Sequence, residues 1–185
     1  MKIMIILSSP NQNGLTAACG GQAQQGCVDS GAEAVVIRLN DLNIGMCHAC
    51  NEGWGTCRDK HICQIKDDFQ ELHAKMKEID GFVFITPVYW WDMSESAKAF
   101  MDRVRRCESR KNEDQYLTGK GVISVAAAGG TGNGIISCLA TMERFADHVK
   151  AVKYDFIGVT KRNKGYKLKS IYEAVKSMGE KALKT

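Results

Sequence analysis

Two groups of residues in this chain have the types and spacing to do chemistry. The first is Ser8-Ser9-Pro10-Asn11-Gln12-Asn13-Gly14-Leu15-Thr16, which directly follows the apolar run Ile3–Leu7. Its chemistry is anion capture. Ser8, Ser9 and Thr16 carry O–H donors, Asn11 and Asn13 carry N–H donors, and Gly14 lets the backbone come close. A helix beginning here aims its unpaired first-turn amides and the positive end of its dipole at the same point, which suits a phosphate monoester. No lysine occupies the turn, so it is not a Walker A loop, and the G-x-G-x-x-G spacing of a dinucleotide site is missing. The bland alternative is an ordinary polar β-to-α turn. The second group is Cys47, Cys50, Cys57 and Cys63, spaced C-x2-C-x6-C-x5-C. Four thiolates could hold a 4Fe–4S cluster or a tetrahedral zinc ion, and without metal they are free thiols or a thiol pair.

Two further loops carry unusual residues. Thr86-Pro87-Val88-Tyr89-Trp90-Trp91-Asp92 sets three aromatics after a buried strand. They cannot all face a core, so at least one is expected at a cleft beside a flat ring, unless the run is a packing cluster or subunit contact. Ala127-Ala128-Gly129-Gly130-Thr131-Gly132-Asn133-Gly134 has glycine at four of its last six positions. Such backbone can lie against a planar ligand, or be a flexible turn ahead of a helix. A single phosphate joined to a large planar ring fits all three loops. FMN has that shape. AMP also fits the first loop but gives less reason for the aromatic run.

The elements that position these loops follow from hydrophobic periodicity. Strands are expected at Ile3–Leu7, Ala34–Ile37, Gly81–Thr86, Gly121–Ala128 and Val152–Val159. Helices are expected at Leu15–Ser30, from an Asp67/Gln70 capping box to Lys77, from Asp92/Glu95 through Val104, at Gly134–His148, and along Leu168–Met178. This alternation predicts an α/β fold with a parallel sheet covered on both faces, and ligands at the carboxyl ends of its strands. The 185 residues suit one domain with a cysteine-rich insertion at about 45–66. With 44% hydrophobic and 25% charged residues, no membrane-length apolar stretch and no signal peptide, a cytoplasmic protein with no membrane partner is expected. Its eight cysteines then read as thiols or ligands, not disulfides, with Cys19, Cys27, Cys107 and Cys138 as buried apolar groups. A net charge of +4 does not imply nucleic acid, and the Lys161–Lys169 stretch offers only Tyr166 for base stacking. Arg103, Arg105, Arg106, Arg110 and Lys111 read as a solvated helix terminus, or as a dock for a dinucleotide phosphate or acidic partner.

Taken in order, Ser9–Thr16, Thr86–Tyr89, Ser94–Arg103 and Gly129–Gly134 resemble the NADPH-dependent FMN reductase and iron–sulfur flavoprotein group of the flavodoxin-like superfamily. The resemblance implies a three-layer sandwich whose five-stranded parallel sheet has the order 2-1-3-4-5, with FMN at the switch point. It implies phosphate contacts from Ser9, Asn11, Asn13, Gly14, the Leu15 backbone and Thr16. It sets Pro87, Val88, Tyr89 and Trp90 beside the isoalloxazine, with Gly129, Gly130 and Thr131 opposite. Asn11 stands where arginine is frequent and Leu15 where asparagine is usual. The third cysteine of the iron–sulfur flavoproteins falls near Gly53, so Cys57 must substitute for it. Three functions are expected to compete. The first is an FMN oxidoreductase taking hydride from NAD(P)H and serving a small-molecule or protein acceptor, as a homodimer or homotetramer. The second is an electron carrier with a cluster on the cysteine loop, and the third a non-enzymatic zinc-binding assembly module.

Overall fold

A computed structural model describes residues 1–109 and 115–182, so Arg110 and Lys111 lie outside the described residues. The chain runs β1 (Lys2–Leu7), α1 (Leu15–Asp29), β2 (Glu33–Arg38), α2 (Phe69–Lys75), β3 (Gly81–Tyr89), β4 (Asp92–Met93), α3 (Glu95–Glu108), β5 (Gly121–Ala128), α4 (Ile135–His148), β6 (Val152–Thr160), α5 (Lys164–Ala182). The unbroken apolar run of β1 has a direct cause. Ile3, Ile5 and Leu7 pack into one core with α1 and α5, while Met4 and Ile6 pack into a second core with α2, α3 and α4. Helices therefore cover both faces.

The sheet order is β2-β1-β3-β5-β6, with β4 paired antiparallel to the end of β3. Counted over the five long parallel strands, this is the expected 2-1-3-4-5; the two-residue β4 shifts the numbering. The registers pair Leu7 with Ile85 and Pro87 with Ala127, so β1, β3 and β5 are neighbours. Their carboxyl ends form one rim, beside the point where the chain crosses from β2 over β1 to β3.

Local chemistry sets the helix starts. The expected Asp67/Gln70 capping box is half formed: Asp67 N–H donates to Gln70 Oε1 (3.2 Å), but Asp67 Oδ1 accepts from Phe69 N–H (3.1 Å) instead of Gln70 N–H, because α2 begins one residue later, after Asp68. For α3 the cap is Ser94, whose Oγ accepts from Ala97 N–H at 3.3 Å. Asp92, the expected start, lies in β4 because the chain turns back there before the helix begins. Behind the sheet, α1 and α5 cross closely: a Cβ on Gly26 would lie 2.6 Å from the Tyr172 carbonyl oxygen, and Tyr172 Oη donates to Asp29 Oδ2 at 2.8 Å. Cys19, Cys27, Cys107 and Cys138 are buried. Among the described residues, no helix is long and apolar enough to cross a membrane.

Candidate functional site

At the first loop, Ser8 belongs to the sheet and not to a ligand. Its amide donates to the Ile85 carbonyl (3.1 Å) and its own carbonyl accepts from Ser94 Oγ (2.8 Å) and Ser96 Oγ (3.2 Å). These bonds tie the first loop to the start of α3. Next, Asn11 N–H donates to Ser9 Oγ (3.2 Å) and Asn13 N–H to Asn11 Oδ1 (3.0 Å), two nested turns that curl the backbone over the end of β1. Gly14 is the N-cap of α1 and supplies no capping side chain, and no acidic residue stands in the first turn. The earliest helical bond from this cap is Ala18 N–H to the Gly14 carbonyl at 3.1 Å. The Leu15, Thr16 and Ala17 amides are thus left to an outside acceptor. Leu15 can serve despite its apolar side chain, because it contributes only an N–H while its side chain packs on the α1–α5 core.

At the second loop, Pro87 is buried, Val88 half-buried, and Tyr89 and Trp90 exposed. Val88 pairs with Met93 and Tyr89 with Asp92, so Trp90 and Trp91 are the two-residue tip of a hairpin. Their φ angles are +48° and +65°. Both signs are those of a type I′ turn, a place usually held by Asn-Gly. For an L-residue with a Cβ the left-handed region costs about 1–2 kcal/mol. Such strain collects where a structure over-determines it for function. Here Ser137 Oγ donates to the Trp91 carbonyl, and a Cβ on Gly134 would lie 2.7 Å from Trp91 Cα. Gly134 (φ +81°) is therefore what admits the hairpin, joining the second loop to the third. Trp90 remains 91% exposed.

Gly129 and Gly130 differ from Gly134. Neither has positive φ, and a Cβ added to either would meet nothing within 4 Å. No packing inside the chain requires glycine at these positions, and the space beside them is open. Thr131 Oγ1 accepts from Asn133 N–H at 3.4 Å, shaping the turn that follows. All three groups of sequence-predicted FMN residues thus leave one rim.

The cysteine loop lies elsewhere, against α3. Cys47, Cys50, Cys57 and Cys63 line one small cavity, and Cys107 of α3 lines it too. Ala49, Asn51, Glu52 and His61 take positive φ in this segment. Ala49 N–H donates to Cys47 Sγ at 3.5 Å. Arg106 donates to the Gly53 carbonyl at 2.9 Å, with its guanidinium 4.5 Å from the Trp54 ring. Arg103, read from sequence as part of a solvated terminus, is buried and forms a bidentate pair with Asp67 (2.6 and 2.8 Å). Burial raises the Asp67 carboxyl, but donors from Arg103, Gly45 and Phe69 outweigh it and hold the group below the usual carboxylate range. Among the described residues, no three His, Cys, Asp or Glu side chains are arranged to hold one metal ion. A zinc site needs its thiolates within about 2.3 Å of one point. Cys107 and Arg103 carried no local sequence signal for this cavity; only the packing of α3 reveals them.

Comparison with known proteins gives the family and the fold. The family model for NADPH-dependent FMN reductase matches residues 1–157. An iron–sulfur flavoprotein of Methanocaldococcus jannaschii is 35% identical over 105 residues, which cover 57% of this chain and 52% of that protein. The chain spans about half the length of the curated relatives it matches. The crystal structure of RosB with bound 8-demethyl-8-formylriboflavin-5′-phosphate superposes with a TM-score of 0.78 at 15% identity, covering 100% of this chain and 81% of that one. The NAD(P)H:quinone oxidoreductase of Methanothermobacter marburgensis superposes with a TM-score of 0.70 at 14% identity, covering 98% and 96%. At such identities these two structures establish the flavodoxin-like fold.

Proposed function

Because this chain belongs to the NADPH-dependent FMN reductase family, we propose that it is an FMN-dependent oxidoreductase, a single flavodoxin-like domain that takes hydride from NAD(P)H and passes electrons to a small-molecule or protein acceptor. The observation that carries this reading is the pair Gly129 and Gly130, glycines that no neighbour in the chain requires, facing open space on the rim. When bound, FMN supplies the hydride and electron chemistry. The residues of the chain hold and orient it. Ser9, Asn11, Asn13, Gly14, the Leu15 amide and Thr16 receive the phosphate. Pro87, Val88, Tyr89 and Trp90 lie along one side of the ring, with Gly129, Gly130 and Thr131 along the other. The exposed Tyr89 and Trp90 exclude water from that side. No acid or base of the protein is needed for hydride to pass between two bound cofactors. The exposed Trp90 and Ile136 beside the rim also suit a homodimer or homotetramer contact.

The test is titration of the flavin-free protein with FMN, for the wild type and the Ser9→Ala/Thr16→Val pair. A hydrogen bond to a charged group is worth about 1.5–3 kcal/mol. Losing two should raise Kd more than about 100-fold. An unchanged Kd in a folded variant refutes the phosphate site.

A second reading has its own observation. The relatives named iron–sulfur flavoproteins, together with Cys47, Cys50, Cys57 and Cys63 on one loop, support a 4Fe–4S cluster that relays single electrons. Iron and sulfide counts after purification without air test it; a colourless loop with neither removes it.

A further inference from the structure

The arginine run of α3 divides three ways. Arg103 pairs with Asp67, and Arg106 bonds the Gly53 carbonyl beside the Trp54 ring. Arg105 turns toward α4, where it lines a groove of about 240 Å³ between the two helices. Met93, Met101 and Phe145 line the groove too and are buried, so its floor is apolar. Cations stand along its edges: Lys98 and Arg105 from α3, and Arg144 from α4, with His148 beside them. Lys98 is bonded to Asp102, one turn along α3. Arg144 Nη2 donates to Thr141 Oγ1 at 3.0 Å, which leaves the rest of its fork open. Among the described residues, neither Arg105 nor Arg144 has a carboxylate within ion-pair distance. Burial first, and then the Arg105 charge, hold the His148 imidazole below the usual histidine range. Helix dipoles account for cations in the last turns of α3 and α4, where Arg105 and His148 stand. They do not account for Arg144, a turn earlier, or for an open apolar floor between two guanidinium groups.

We propose that this groove binds a phosphate monoester carried on a small body such as a sugar, at a site separate from the flavin loops. None of the residues assigned to FMN lines it. Three cations against the single carboxylate of Asp102 leave an excess that matches a dianion. A tetrahedral phosphate presents three terminal oxygens and takes a fork from each helix, whereas one bidentate guanidinium already fills a planar carboxylate. The apolar floor suits the carbon face of the attached body. Pockets for drug-sized ligands run from about 300 to 1,000 Å³, so the occupant here is smaller than a whole dinucleotide.

The probe is ribose 5-phosphate, titrated by calorimetry into protein first saturated with FMN, so that the rim cannot take it. An ionic strength of about 0.15 M screens loose surface attraction. Binding with Kd below about 1 mM is expected, and none by ribose in that range. Arg105→Gln and Arg144→Gln should each weaken it about tenfold or more. Lys77→Gln removes the same charge from an exposed residue outside the groove and should change Kd less than about twofold. Of the four histidines, only His148 should show shifted ring signals in the proton spectrum, identified by their loss in His148→Asn. Absence of binding, equal weakening by all three charge removals, or binding that leaves His148 unmoved overturns the site. So does a dimer that Arg105→Gln turns to monomer in sedimentation while the wild type takes no ribose 5-phosphate, which gives the groove to a second copy. If the protein takes up no FMN, the flavin reading falls, and the same titration of the protein as purified decides the groove independently.

Discussion

Gly134→Ala and Gly130→Ala are one chemical change at two places in one loop, and the geometry gives them opposite consequences. At Gly134 the new methyl would lie 2.7 Å from Trp91 Cα and 3.1 Å from both Trp91 Cγ and Val88 Cγ1. Forcing a group into such space costs about 1–3 kcal/mol. The left-handed φ adds about 1–2 kcal/mol. The sum, about 2–5 kcal/mol, is a large part of the roughly 5–15 kcal/mol that holds a domain folded. At Gly130 the methyl meets nothing, so stability should stay within about 0.5 kcal/mol or rise slightly as the unfolded chain loses freedom. That methyl instead enters the space proposed for the ring, and a loss of about 1.4 kcal/mol there is tenfold in Kd. Urea unfolding of the flavin-free proteins gives the first quantity, and quenching of flavin fluorescence on binding gives the second. Wild-type FMN affinity in Gly130→Ala would refute the assignment of this loop to the ligand. A wild-type urea midpoint in Gly134→Ala would refute the tight seam between α4 and the hairpin.

Three other outcomes follow from the same packing. Asp67→Asn leaves Arg103 buried without its counter-charge and should cost about 3–5 kcal/mol by urea unfolding. Because the native Asp67 carboxyl is held low, its contribution is complete above about pH 4 and is lost as pH falls through the lowered value. The variant should therefore lose less stability on acidification than wild type, and an identical acid limb would contradict this. Burial pushes the Cys19 and Cys138 thiols up to about 12 and Cys27 up to about 11. With Cys107 also buried, a thiol reagent near about pH 8 should find only Cys47, Cys50, Cys57 and Cys63 in native metal-free protein, and all eight after unfolding; reaction of the other four before unfolding would count against the packing. Trp90→Asn trades relief of about 1–2 kcal/mol of backbone strain against an aromatic contact of about 0.5–1.5 kcal/mol, so its melting temperature should barely move while FMN binds more weakly. A loss above about 2 kcal/mol would show that Trp90 packs into the fold.

The sheet was legible because its signal is local and repeated. Ile3–Leu7 and Gly121–Ala128 have apolar side chains on both faces, and only a strand covered by helices on both sides has that composition. The three ligand loops followed from the sheet, since their positions are set by strand ends. Other features depended on partners far along the chain. Arg103 looks like its neighbours Arg105 and Arg106, and its burial requires Asp67, 36 residues earlier. The hairpin at Trp90 and Trp91 lacks the Asn-Gly that marks such turns, because contacts from Gly134 and Ser137 enforce it. Ser8 carries a suitable hydroxyl, yet the neighbouring strand and α3 take up its hydrogen-bonding groups. The match to the family model covers residues 1–157, ending inside β6, and so does not include the last helix.

That last helix bears on events at the opposite end of α1. Tyr172 grips α1 near its carboxyl end through Asp29 and the close crossing at Gly26, while the amino end of α1 faces the rim. A rigid rod held at its tail and addressed at its head transmits restraint in both directions. Slower amide exchange along Lys164–Ala182 on adding riboflavin phosphate would register that mechanical link, and trimming the terminal rod should loosen the grip on that molecule.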